Sequence, residues 1–250
     1  TETPQTISSI THVGAVATLN TASAHGLETG NYVTITGASP SAYNGSFVIT
    51  KVDADTFTYT MASNPGSSAT GGSYIVLGIT GVNSNTFVNV NLFKNRLWFT
   101  QKNSMKVWYL DPKALAGAAT DIDFGGIARN GGYLQAMGTW TLDAGQGADD
   151  YAVFVTSMGE VLVYNGTDPT SDATWALKGV WQFGYVFARR CFYKFGGDLL
   201  MLSQDGLTPL ASALQSSRLD PRVNLTDKIY YAVSQAADSY SNNFGWQAIY

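Results

Sequence analysis

Two histidines, one cysteine and three close pairs of aspartates are the side chains in this sequence whose types could do chemistry. The pairs are Asp121/Asp123, Asp149/Asp150 and Asp168/Asp172. Two carboxyls at a defined separation across a sugar hydrolyse glycosidic bonds, and clustered acidic oxygens hold calcium. "TDIDFGG" (120–126) alternates its aspartates but lacks the later Gly and Glu of an EF-hand loop, so solvated turn aspartates are the stronger reading. His12 and His25 both lie within residues 7–77, apart from the other candidates, and no Ser-His-Asp or Cys-His constellation can be assembled from them. His25 precedes Gly26 in a turn and reads as a surface or capping histidine. Cys191 stands alone in "RRCFYKF", which excludes an internal disulfide framework and a cysteine-based zinc site. It reads as a small buried hydrophobe. No catalytic residue, metal or cofactor is expected.

Weaker patterns point the same way. "GQG" within "DAGQGADD" falls short of G-x-G-x-x-G and follows no βαβ pattern. "SQDGLTPL" (203–210) is loosely similar to the Asp-box of sialidase propellers, but it lacks one residue before the Gly and has no Trp. Asp205-Gly206 is explained as a hairpin turn. Arg189 and Arg190 are the only adjacent basic pair. Strand alternation would send one outward and its neighbour inward, and an inter-subunit ion pair or plain solvation is favoured over a phosphate contact.

Composition sets the frame in which these residues must sit. The chain has 250 residues, 13% of them charged and 13% aromatic, with 26 glycines. Few Glu with abundant Thr, Ser and Gly favour strands and turns over helices, so the fold is expected to be all-β. A net charge of −4 excludes a generally basic nucleic-acid binder. No window supplies the apolar run of a membrane span, and the N-terminus has no signal-peptide pattern. The start at Thr1 and the end on "FGWQAIY" suggest a piece of something longer.

Two regions differ in character. Residues 7–77 carry only Glu28, Lys51, Asp53 and Asp55 as charges and no Trp. Short strands are expected at Ala15–Asn20, Asn31–Thr36, Gly45–Val52, Thr56–Met61 and Ser73–Leu77, with turn signals between them. Five short strands in this span describe a small barrel or sandwich. From residue 79 onward all six tryptophans appear. There "RLWFTQKNSMKVWYL" (96–110), "YAVFVTSMGEVLVYNG" (151–166) and "DLLMLSQDGLTPL" (198–210) share one grammar: apolar strand, polar turn, apolar strand. Such paired strands recurring about every 50 residues are a signature of β-propeller blades. One blade cannot bury both its faces, so neighbours must stack on it. The expected division is 1–78, a small β-barrel accessory module, and 79–250, an incomplete β-propeller-like platform of three or four blades. Near the C-terminus Thr226 is placed to cap a helix with Ile229, Val233 and Ala236 as its apolar stripe, and Pro209 to begin a shorter one.

Two resemblances follow from these stretches. "ATLNTASAHGLETGNYVTITGASPSAYNGSFVITKVDADTFTYTM" resembles a small β-barrel module of phage and prophage structural proteins, and is similar to the first catalytic-cysteine half-domain of ubiquitin-activating enzymes. That module carries no catalytic cysteine, which implies an accessory role. The later run, most specifically "TSMGEVLVYNGTDP", "GGDLLMLSQDGL" and "DKIYYAV…FGW", resembles the tail nozzle or hub proteins of short-tailed phages, also called head–tail or packaged-DNA stabilisation proteins. The resemblance implies a structural virion protein with no enzymatic activity. Its partners would be other copies in a ring, the portal or adaptor, other tail proteins, and genomic DNA that passes through the lumen without sequence-specific binding. A mildly acidic, Lys-poor chain agrees with a conduit that must not grip phosphates. The alternatives are a carbohydrate-binding or glycan-hydrolysing propeller and, more weakly, a peptide-binding propeller module.

Overall fold

Alternation writes the first strands directly. In β2 (Val16–Thr21) the residues Ala17, Leu19 and Thr21 are buried while their neighbours face outward, the period of two that a half-buried strand imposes. The computed structural model describes residues 3–143, 148–213, 223–242 and 245–247, and it divides into two compact units. The first comprises Thr1–Thr86 with Lys113–Thr120, the second Phe87–Pro112 with Asp121–Tyr250. The chain is all-β, and among the described residues its α-helices lie near the C-terminal end.

The first unit contains β1 (Gln5–Val13), β2, β3 (Tyr32–Thr36), β4 (Gly45–Val48), β5 (Thr50–Lys51), β6 (Thr56–Thr60), β7 (Ser73–Leu77) and the short β8 (Ile79–Thr80). Seven of these form one sheet in the order β4-β3-β7-β1-β2-β6-β5. Its two edges, β4 and β5, are consecutive in sequence and separated only by Ile49, which is buried. The sheet therefore curls back on itself around Leu19, Val33, Ile35, Tyr43, Phe57 and Tyr59. Its ladder does not close into a barrel, because the Ile49 amide donates to the Asn31 carbonyl and its own carbonyl accepts from Gly30. Asn31, itself buried, donates from Nδ2 to the carbonyls of Ile79 and Val82 and fixes the segment that follows β7.

The second unit is built from meanders. The first comprises β9 (Phe87–Phe93), β10 (Arg96–Gln101) and β11 (Lys106–Tyr109). The chain then returns to the first unit, where β12 (Gly117–Ala118) pairs parallel to β8. β13 (Thr120–Asp123) next completes the order β13-β11-β10-β9. A second meander runs β14 (Leu134–Asp143), β15 (Ala148–Thr156), β16 (Glu160–Gly166) and β17 (Trp175–Gln182), all antiparallel. A third has β18 (Phe192–Phe195), β19 (Asp198–Ser203) and β20 (Gly206–Pro209). The three expected hairpins are thus β10/β11, β15/β16 and β19/β20.

Strands β15 and β16 of the middle sheet are covered on both sides, which explains the unbroken apolar run Tyr151–Val155. Ala152 and Phe154 of β15 face a core shared with Trp98, Val107 and Tyr109 of the first meander. Val153 and Val155 face the other way, into a core shared with Leu199 and Met201 of the third. Such sheets stacked face to face have the packing of propeller blades. β14 lies innermost, against β9 and β10 on one side and β18 and β19 on the other. Asn89 Oδ1 accepts from the Met137 amide and Asn91 Nδ2 donates to the Met137 carbonyl, which satisfies backbone groups on the open edge of β14.

Among the described residues the third blade has three strands, and a strap runs beside β20. The Leu225 amide donates to the Leu207 carbonyl. Buried Asn224 accepts from the Thr208 hydroxyl and donates to the Asp205 carbonyl. Thr226 does not cap the next helix; its hydroxyl accepts from the Leu207 amide. Two α-helices among the described residues complete the unit: α1 (Leu210–Ala213), which begins directly after Pro209, and α2 (Tyr230–Tyr240). With the strap pinned to β20, α2 turns Ala237 inward, while Ile229, expected in the apolar stripe, is 58% exposed.

Candidate functional site

The aspartate pairs lie on different elements from one another, and several of their carboxylates hold loops or strands in place. Asp121 on β13 pairs with Lys106 on β11 at 2.8 Å. Asp123 caps the short 3-10 turn at Phe124–Gly126 by accepting from the Gly125 amide at 2.8 Å. Asp168, in the loop before β17, accepts from both the amide and the hydroxyl of Thr170. Those bonds hold its carboxyl below the usual carboxylate range, with Arg96 adding to the effect. The Asp149 side chain lies outside the described residues. Asp205 accepts from the Gly184 amide at 2.6 Å and so ties the β19/β20 turn to the chain leaving β17.

Two cations bridge the first and second blades. Lys94 donates to Asp150 at 2.6 Å. Arg96, only 8% exposed, reaches Asp168 at 3.3 Å and the Leu110 carbonyl at 3.4 Å, with its guanidinium 5.5 Å from the Tyr109 ring centroid. The Lys94 bond is the chief cause holding the Asp150 carboxyl below its ordinary value, with the Thr141 hydroxyl assisting. Its folded-state pKa therefore lies below the unfolded one of about 3.9. The resulting stabilisation is complete above about pH 4 and is lost as the pH falls through the folded value. We expect Asp150→Asn to lower stability at neutral pH and to flatten the acid limb of the stability–pH curve. Urea unfolding at stepped pH measures this, and parallel acid limbs for the two proteins would contradict it.

Glu160 is the functional-looking residue that sequence reasoning missed. It opens β16 and is 3% exposed. Its Oε1 accepts from the Arg129 amide at 2.8 Å and its Oε2 from the Asn130 amide at 3.0 Å. The carboxylate thus fastens the connection between the first two blades to the β15/β16 turn. The signal was present in the sequence, since a charge directly at the head of an apolar strand needs buried partners. Glu160 also lines a cleft of about 620 Å³ with Arg129, Asn130, Leu177, Val180 and Gln182.

The histidines and the cysteine are engaged within the scaffold. His25 Nδ1 accepts from the Leu27 amide at 2.9 Å within a turn, and the His12 ring packs edge-on to Tyr43 at 6.2 Å. Cys191 is fully buried, and burial pushes its thiol up to about 12. Arg189 and Arg190 are both exposed, not one in and one out. They precede β18, at a turn and an isolated bridge to Gln247, where strand alternation does not operate. Among the described residues no group of His, Cys, Asp and Glu is arranged to hold a metal ion. No helix among them is long and apolar enough to cross a membrane.

No family model and no curated protein matches the chain. Among solved structures, the phage phi92 endosialidase aligns at 10% identity over 80% of this chain, with a TM-score of 0.24. The chain spans 45% of that protein's length. An alignment this loose bears on neither topology nor function.

Proposed function

We propose that the chain is a structural subunit of a short-tailed phage tail, a nozzle or hub ring that joins the portal or adaptor and retains, then conducts, genomic DNA. The observation that carries this reading is the stack of sheets in the second unit. The central strands of the middle blade are buried on both faces, aromatic rings cross from blade to blade, and Lys94 and Arg96 tie the first two blades together. Such construction favours a stiff building block, in agreement with the sequence resemblance to tail nozzle and hub proteins. The first unit is then an accessory module of the kind seen in phage structural proteins.

A glycan-binding or glycan-hydrolysing propeller is the second reading. What favours it is the cleft beside Glu160, whose volume of about 620 Å³ falls within the range of small-molecule sites. Sedimentation of the purified protein at rising concentration, alongside a glycan array and a glycosidase assay, separates the two. The structural reading predicts concentration-dependent assembly and no specific glycan signal. A persistent monomer that binds or cleaves one sugar class would overturn it.

A further inference from the structure

Among the described residues, one adjacent pair of cations meets no carboxylate. Lys51, Lys94, Arg96 and Lys106 each meet a carboxylate. Arg189 and Arg190 do not; among the described residues the only side-chain bond given to either is from Arg190 Nη1 to Gln247 Oε1 at 3.1 Å. That bond orients one guanidinium, and no other described side chain engages its remaining N–H groups, while Asn89 Nδ2 reaches the Arg189 carbonyl at 3.5 Å. Two cavities flank the pair. One, of about 300 Å³, is walled by Asn89, Asn91, Met137 and Phe192 together with both arginines. The other, of about 370 Å³, is walled by Phe187, Trp246 and Gln247 together with both arginines. No carboxylate among the described residues lines either cavity.

We propose that Arg189 and Arg190 bind the phosphate of a nucleotide within a single strand of nucleic acid, with Trp246 as the surface on which its base stacks. Guanidinium forks match phosphate oxygens in geometry and stay charged at every working pH. An unpaired cation pair beside an aromatic side chain is the combination that single-strand sites use. Trp246 is held for that role: its Nε1 donates to the Tyr240 carbonyl at 3.2 Å, and the Phe187 ring meets it edge-on at 5.1 Å. The aromatic neighbour is what selects a nucleotide phosphate over a bare oxyanion or a carboxylate. The site needs only this chain, so it can stand or fall apart from the proposed ring.

The test is fluorescence anisotropy of a labelled oligothymidylate titrated with the full chain at several salt concentrations, with inorganic phosphate as competitor. We expect saturable binding that phosphate displaces. The double variant Arg189→Gln/Arg190→Gln should weaken it at least about tenfold and reduce the slope of log K against log salt by about 1.4, two contacts at about 0.7 each on a single strand. Trp246→Phe should weaken it less and leave the slope unchanged, and Lys178→Gln, an exposed cation on β17, should change neither. Both arginines are exposed, so thermal unfolding of the double variant should match the parent. The proposal is overturned if the oligonucleotide does not saturate, if the double variant keeps both affinity and slope, or if phosphate binds at the arginines while the oligonucleotide is excluded.

Discussion

Trp98→Ala is expected to destabilise the second unit by about 3–5 kcal/mol, the range for removing a large aromatic from a core. Trp98 is 1% exposed and sits where the first two blades meet. Its ring stacks on Trp175 of β17 at 5.4 Å and 16°, lies 4.9 Å from Tyr109 on its own blade and 5.9 Å from Phe154 on the next. Trp175 in turn stacks on Tyr164 at 5.2 Å, so three rings run through the blade boundary. Removing the ring at the Trp98 end of that stack takes away contacts with Tyr109, Phe154 and Trp175, on both blades at once, and strands cannot collapse inward as a loop could. Trp98→Phe keeps an aromatic face and loses the Nε1 bond to the Phe93 carbonyl, at a cost of about 1–2 kcal/mol. All six tryptophans lie in the second unit, so intrinsic fluorescence during urea unfolding reports on that unit alone. A loss below about 1 kcal/mol for Trp98→Ala would mean that the two blades do not share this core.

Gly159→Ala should be nearly as damaging despite adding one methyl. Gly159 turns the β15/β16 hairpin at φ +83, in the left-handed region, and an added Cβ would run into the backbone carbonyls of Phe183 and Gly184. Backbone atoms give way poorly, so strain of about 1–3 kcal/mol is joined by an overpacking cost of about 1–3 kcal/mol. Gly196, in the β18/β19 turn at φ +60, has nothing within 4 Å of such a Cβ and serves as the internal control. Its alanine variant should cost about 1 kcal/mol, the left-handed penalty alone. Thermal melts of the two variants compare them, and equal losses would remove the close approach between this turn and the chain leaving β17.

The hairpins were legible because the central strands of the middle blade are buried on both faces, which turns strands such as Tyr151–Val155 into continuous apolar runs. β1 was not legible. Of Gln5–Val13 only Ile10 is buried, and the strand is placed by its register with β2 and β7, which no local pattern reveals. The single expected strand Gly45–Val52 breaks because Ile49 turns inward and bonds to residues 30 and 31. β14 carries Gly138, where a side chain would strike Phe192 of the third blade; from sequence that glycine reads as a strand-weakener, whereas packing demands it. The orientation of α2 was misjudged because it depends on Asn224, whose partners Thr208 and Asp205 are long-range. Solvation of Arg189 and Arg190 was among the expectations, and no carboxylate among the described residues meets either; the bond from Arg190 to Gln247 could not be read, because it is long-range.

Electron cryomicroscopy of the purified protein at high concentration puts the structural proposal to its most direct test. The prediction is a closed ring of copies in which residues 87–250 form stacked sheets at the subunit body. Single particles that never associate at any concentration, with a sugar seated in the cleft beside Glu160, would contradict it.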